Sequence, residues 1–185
     1  MLDKREFLKI GKDLRIFEEK REQVIILSRE IIQLSKQIIY ALHRDDINKA
    51  SKIVKDIKSK VTKLPKEYFD AGIQNVALQE YVEAVCFYEF LRNNKIPTRT
   101  LLKVDTENYL MGLCDLTGEL MRKAVKAVIK KKFDYASKIK DLVEELYGEF
   151  LKFDLRNSEL RKKSDSIKWN LQKLEDLMYN ISVRK

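Results

Sequence analysis

Residues that punctuate a chain are scarce here. Two prolines and five glycines in 185 positions leave few places for tight turns, so the elements must be few and long, which favours an all-α fold. Histidine occurs once, as His43, and no Glu-x-x-His exists. A di-iron carboxylate bundle needs that motif on two helices, so di-iron chemistry is disfavoured, and zinc hydrolysis fails for the same lack of ligands. The two cysteines, Cys86 and Cys114, have no CxxC spacing and fall in apolar helical stretches, the pattern of a reduced, cytoplasmic protein with two buried thiols. No apolar run approaches the ~20 residues that span a bilayer. The run VIIL at 24–27 is only a fragment of a helical face. MLDKREFLKI, at the N-terminus, has charges where a signal peptide has its apolar core. There is no GxxxxGK[ST] phosphate loop; Gly112 and Gly118 stand alone within a helical segment, where they allow close packing. No linker, low-complexity segment or convincing repeat divides the chain, which reads as one domain over 1–185.

What is present is 44% hydrophobic and 36% charged, too apolar for disorder and long enough to bury a core. The net charge of +9 makes a polyanion, nucleic acid first, the leading partner class. Lysine-rich surfaces also occur in proteins from high-temperature organisms. Phe7, Ile10, Leu14, Phe17, Val24, Ile31, Ile38 and Leu42 follow a three-four spacing that predicts one helix from about Asp3 to His43, with Arg21, Ser28 and Ser35 on the missing beats. A second stripe, Ile25, Ile32 and Ile39, widens the face to touch two neighbours. Asp45 and Asp46 are candidate N-caps for a second helix ending before Pro65, and a third helix covers about Lys66 to Asn93. Residues 94–104 form a connection, Asp105 caps a fourth helix running to about Lys132, a fifth covers about 134–153, and Asn157 opens the last. Leu160, Ser164, Ile167, Leu171, Leu174, Met178 and Ile181 give that last helix a heptad seam, able to pack within the subunit or against another. The expected architecture is a single up-and-down bundle of about six to seven helices, with long first and last helices.

Two helices spend carboxylates on core-like positions. Val76, Glu80, Glu83, Phe87 and Phe90 share one stripe of the third helix. Between Asn108 and Met121 the only charges are Asp115 and Glu119, four apart and on one face. An unpaired buried carboxylate costs several kcal/mol even after relaxation. Cations from the protein, protonation or a bound metal must offset that cost. Arg122, Lys123 and Arg92 are the candidates for an ion-pair network. The other reading is an oxygen-lined site for Mg²⁺ or Mn²⁺, since no nitrogen or sulfur ligand accompanies the four acids. Carboxylates holding such an ion beside a basic surface suit a phosphodiester substrate.

At these residues the sequence resembles the translin/Trax family, over nearly the whole chain. LSREIIQLSKQIIYALHR (27–44) is similar to the Trax first helix, and QEYVEA (79–84) and ENYLMGLCDLTGELMR (107–122) to the Trax catalytic segments. LRNSELRKKSDSIKWNLQKLEDLMYNISVR (155–184) resembles the family's C-terminal helix and looks closer to translin. The resemblance implies an all-α bundle that assembles into a hollow octameric shell and binds single-stranded or short duplex nucleic acid: RNA, and single-stranded DNA as a further candidate. It implies that Glu80, Glu83, Asp115 and Glu119 match the acidic positions of the Mg²⁺-dependent endoribonuclease subunit. On that basis Glu80, Glu83 and Asp115 would hold Mg²⁺ or Mn²⁺, with Glu119 completing or orienting the shell. The alternative is a non-catalytic, translin-like binder of single-stranded DNA or RNA. Two departures stand out: the loop between the third and fourth helices is short, and a Trax-like front joins a translin-like tail. They imply a compact prokaryotic, archaeal-type member that assembles with itself as a homo-octamer.

For the nucleic acid, Arg21, Arg29, Lys36 and Arg44 recur at spacings of eight, seven and eight, roughly on one side of the first helix, where they could track a phosphate backbone or form a solvated face. Arg161, Lys162 and Lys163 open the last helix, where positive charge is usually avoided, so a polyanion nearby is plausible. Tyr81, Phe87, Tyr88 and Trp169 are aromatic enough to stack on bases, though core or interface positions suit them better. His43, at a helix C-terminus, reads as a dipole contact rather than a catalytic base.

Overall fold

A computed structural model describes residues 2–65, 69, 72–156 and 158–183. Its helices are α1 (Lys4–His43), α2 (Ile47–Val61), α3 (Ile73–Asn93), α4 (Arg99–Leu102), α5 (Thr106–Ile129), α6 (Phe133–Phe150) and α7 (Glu159–Val183). Among the described residues there is no strand. Helix α1, with 40 residues, is about 60 Å long at ~1.5 Å per residue.

Acid side chains start the helices as their spacing predicts. Asp3 accepts from the Arg5 amide at 2.9 Å, Asp46 from that of Lys49 at 3.0 Å and Asp105 from that of Asn108 at 2.9 Å. Asp45 does not cap α2; it takes a left-handed φ of 63° in the α1–α2 turn, where Lys123 and Lys130 bind its carboxylate at 2.7 and 2.6 Å. The connection 94–104 contains the one-turn helix α4, capped by Thr98 and too short to show a periodic pattern. The positions Lys66 and Asn157 lie outside the described residues, but the third helix expected from about Lys66 begins later: Phe69 and Gly72 are not helical and α3 starts at Ile73. Asn94, Lys103 and Lys131, none a glycine, also take positive φ at or just past helix ends. A chain this poor in glycine turns with residues that pay roughly 1–2 kcal/mol for the left-handed region.

Helix α3 is the central staff. It packs on α1, α2 and α5, and α5 in turn packs on α6 and α7. Val82, Ala84, Val85, Cys86 and Phe87 are fully buried, and Tyr81 and Tyr88 nearly so, which places three of the four candidate stacking aromatics in the core. Trp169 is 59% exposed. Cys86 on α3 and Cys114 on α5 are free thiols within this core, and burial pushes both thiols up. The seam on α7 closes within the chain: Leu160, Ile167, Leu171 and Leu174 are buried.

The stripe on α1 behaves differently along its length. It is buried from Val24 onward, whereas Phe7 is 58% and Leu14 60% exposed. The sequence pattern predicts burial from Phe7. The cause of the difference is length: α2 has 15 residues and α3 has 21, so the first turns of α1 extend past both. Phe17 meets Phe69, with ring centroids 5.6 Å apart, where cover begins. Ser28 and Ser35, on two of the missing beats, are fully buried, and their hydroxyls have no partner among the described residues.

Gly112 fixes how closely α3 and α5 approach. A Cβ there would lie 2.6 Å from Val82 Cβ and 2.7 Å from the Gln79 carbonyl oxygen. No such constraint acts at Gly118, where the nearest atom would be 3.8 Å away.

Candidate metal and nucleic-acid site

The close contact at Gly112 brings the acidic stripes of α3 and α5 face to face. Glu80, Glu83, Asp115 and Glu119 line one open cleft of about 610 Å³, with Lys36, Ile39 and Tyr40 from α1, Arg122 from α5 and Lys163 from α7. All four expected acids are therefore brought together. Among the described residues, however, no three His, Cys, Asp or Glu side chains gather tightly enough to form one ligand shell.

The acids fall into two pairs with different electrostatics. Asp115 Oδ2 lies 2.5 Å from Lys163 Nζ, and Glu119 contacts Nε2 of His43 and lies 3.7 Å from Arg122. The His43 contact, aided by the Arg122 and Lys126 charges, lowers the Glu119 carboxyl against the effect of burial. For Asp115 burial outweighs the Lys163 partner, and the carboxyl is raised. Glu80 and Glu83 have no cation within ion-pair distance among the described residues. Burial raises Glu80, with Lys36 opposing at longer range. Glu83, 8% exposed, is pushed up to about 9 by burial first and then by Asp115, Glu80 and Glu119.

The ion-pair network anticipated from sequence forms only in part. Arg122 reaches Glu119, but Lys123 turns to Asp45 and the Leu42 carbonyl, and Arg92 donates to the Tyr88 hydroxyl at 2.6 Å. The two glutamates on α3 remain uncompensated. That imbalance, in an all-oxygen donor set, fits a hard divalent ion, which commonly takes one or two carboxylates and completes its shell with water and phosphate oxygens.

Two cleft residues have roles that sequence reasoning did not assign. His43 is buried, lies against Phe87 with the rings tilted and their centroids 5.2 Å apart, and serves as the inner partner of Glu119. Its place was legible as the next beat, four past Ile39, of the second α1 stripe. Lys163 turns inward because it stands three after Leu160 and four before Ile167, on the buried side of α7. The basic run thus divides: Lys162 pairs with Glu159 at 2.8 Å and Arg161 is exposed. Of the α1 series, Lys36 lines the cleft, Arg29 is exposed, Arg44 lies over Tyr40 at 5.6 Å, and Arg21 pairs with Glu18 at 3.7 Å.

Fold and cleft together define a class: long-helix bundles that carry paired acids on their two central helices beneath a basic rim. The family model that matches residues 19–185 is that of the Translin family, and the chain belongs to that family. An uncharacterised protein of Methanocaldococcus jannaschii is 31% identical over 83% of this chain and 72% of its own length. Translin-associated protein X of Pongo abelii is 27% identical over 96% of this chain and 78% of its own, and translin of Mus musculus is 27% identical over 96% and 89%. The crystal structure of apo-NeC3PO superposes with a TM-score of 0.87 at 32% identity, covering 97% of both chains. A structure of AfC3PO in complex with duplex RNA gives 0.86 at 25% identity over 97% of this chain and 98% of that one. Among the described residues no helix is long and apolar enough to cross a membrane.

Proposed function

We propose that this chain binds RNA and cleaves it as a divalent-metal-dependent endoribonuclease, with Mg²⁺ or Mn²⁺ at the acidic cleft. The observation that carries the reading is the uncompensated pair Glu80 and Glu83, facing Asp115 and Glu119 across one cleft rimmed by Lys36, Arg122 and Lys163. Glu80 and Glu83 would hold the ion, and Asp115, which is paired with Lys163, would join them as a third ligand only by turning its side chain from that lysine into the cleft. When bound, the ion supplies an activated water and charge neutralisation at the leaving oxygen. Glu119, kept ionised by His43 and Arg122, orients the acidic face. The basic rim draws in the phosphate backbone, and Arg29, Arg44, Arg161 and Lys162 extend the positive surface along which a strand can lie. Support for RNA as the polyanion comes from the related AfC3PO, whose structure contains duplex RNA; single-stranded RNA and single-stranded DNA are the further substrates to compare.

Self-association belongs to the same proposal. The bare stripe Phe7, Ile10 and Leu14 is an apolar surface suited to a second copy, and a homo-octameric shell is the assembly we propose.

A labelled single-stranded RNA incubated with wild type and with Glu83→Gln, each with Mn²⁺ and with EDTA, tests the nuclease. Cleavage by wild type with Mn²⁺ alone is the expected result. Cleavage retained in Glu83→Gln would sink the assignment. Equal binding by both proteins with no cleavage would favour the second reading, a non-catalytic binder. That reading draws on the protein cations that already satisfy Asp115 and Glu119.

A further inference from the structure

The cleft already contains a cation of the protein's own. Lys163 Nζ lies 2.5 Å from Asp115 Oδ2 and 3.2 Å from Gln79 Oε1. Both charged side chains are largely withdrawn from solvent, at 27% and 31% exposure. Arg122, the other cation paired in the cleft, sits on the rim at 59% exposure and 3.7 Å from Glu119. Among the described lysines and arginines, Lys163 is therefore the one that reaches inside this cleft and takes one of its acids at hydrogen-bond distance. It comes from a different helix than the acids: α7 delivers the ammonium, while α3 and α5 deliver the carboxylates. Gln79 gives the ammonium a second acceptor. That amide is itself fixed, since its Nε2 donates to Asn108 Oδ1 at 3.0 Å and Asn108 donates to Asp105 Oδ2 at 2.7 Å.

We propose that Lys163 is a tethered cation that competes with a divalent ion for Asp115, so that α7 sets the concentration at which the cleft loads. The proposal rests on the reading of the cleft as a divalent-ion site. A lysine ammonium is a compact, strongly hydrated point charge on a flexible stem, and it can leave one oxygen for another without a backbone change. Released from Asp115, it still has Gln79 Oε1 to bind and stays at the mouth of the cleft, where a phosphodiester oxygen of the strand becomes its natural partner. The lysine then has two states, on Asp115 when the cleft is empty of metal and at the phosphate when both ion and strand are present. An ordinary tie between α5 and α7 would not couple to metal in this way.

The test measures Mn²⁺ affinity on the full chain without RNA, by calorimetry and by the electron-spin resonance of free Mn²⁺. The proteins are wild type, Lys163→Gln, Lys163→Met, Lys163→Arg, Glu83→Gln as the site control and, as a charge control elsewhere on α7, Lys173→Gln. Removing a positive charge beside a doubly charged ion and freeing a ligand is expected to tighten Mn²⁺ binding roughly tenfold in Lys163→Gln and Lys163→Met. Lys163→Arg, which keeps the charge, is expected to stay within about threefold of wild type, as is Lys173→Gln. Unchanged or weaker binding in both charge-free variants, with wild type binding Mn²⁺ in a manner lost on Glu83→Gln, overturns the proposal and leaves the metal site standing. Absence of Mn²⁺ binding in every protein overturns both. Two charge-free variants of different shape guard against one failing to fold, and far-UV circular dichroism of each establishes that the affinities refer to folded protein.

Discussion

Replacing Glu83 with glutamine is expected to stabilise the metal-free protein, by an amount that grows with pH. Glu83 is buried on α3 among three other carboxyls, and its own is pushed from an ordinary 4.5 up to about 9. Between those values the folded chain keeps a proton that the unfolded chain has lost. The sign follows: the stability linked to a raised pKa is fully present below 4.5 and is lost as pH climbs toward 9. At ~1.4 kcal/mol per pH unit, wild type gives up about 3–4 kcal/mol by pH 7 and about 5 kcal/mol by pH 8. Glutamine is close in shape to the protonated acid and carries no such linkage. The two proteins should therefore have similar stability near pH 4.5 and diverge above it. Urea unfolding followed by far-UV circular dichroism in EDTA at pH 5, 7 and 8 makes the comparison. Mn²⁺ is expected to flatten the wild-type profile alone, because an ion that binds the carboxylate favours its charged form. If Glu83→Gln were no more stable than wild type at pH 8, the carboxylate would be ionised and well served by its surroundings, and the electrostatic account of the cleft would fall.

Gly112→Ala places a Cβ 2.6 Å from Val82 Cβ and 2.7 Å from a backbone oxygen that cannot rotate away, so a loss of about 1–3 kcal/mol is expected in urea unfolding, together with weaker Mn²⁺ binding as α3 and α5 are wedged apart. Gly118→Ala, whose Cβ would make only an ordinary van der Waals contact with Asn170 at 3.8 Å, serves as the contrast and should not lose stability. RNA affinity should fall linearly on a log–log plot against salt, and Arg29→Ala or Arg44→Ala should each reduce the slope by about 1 where the residue contacts a phosphate; an unchanged slope would remove that residue from the interface.

The architecture was readable because its signals repeat. The three-four spacing in α1, the acids that cap α2 and α5, and the heptad in α7 each occur many times or match a known cap chemistry. Helix α4 was not readable, since four residues cannot display a period. The exposure of Phe7 and Leu14 was not readable either: a periodic stripe shows that a face wants cover, and only the lengths of the neighbouring helices decide where cover ends. Within the cleft, the four acids stood out because a carboxylate among leucines is a costly choice. Lys163 and His43 did not stand out, because a lysine in a basic run and a histidine at a helix end both have cheap explanations. Their offsets from Leu160 and Ile39 contained the signal, but which of two faces a boundary residue takes depends on the helix packed against it.

The two core thiols give the molecule a built-in stopwatch. Cys86 and Cys114 sit on the two helices that carry the acids, 0% and 1% exposed, with their thiolates suppressed by burial. A soluble disulfide reagent can reach them only when the helices packed around them part. The rate at which the chain consumes such a reagent therefore counts openings of the core around the two helices that carry the acids. An ion or a strand that bridges the two helices would slow the count, and the slowing could be read without any dye, label or substitution.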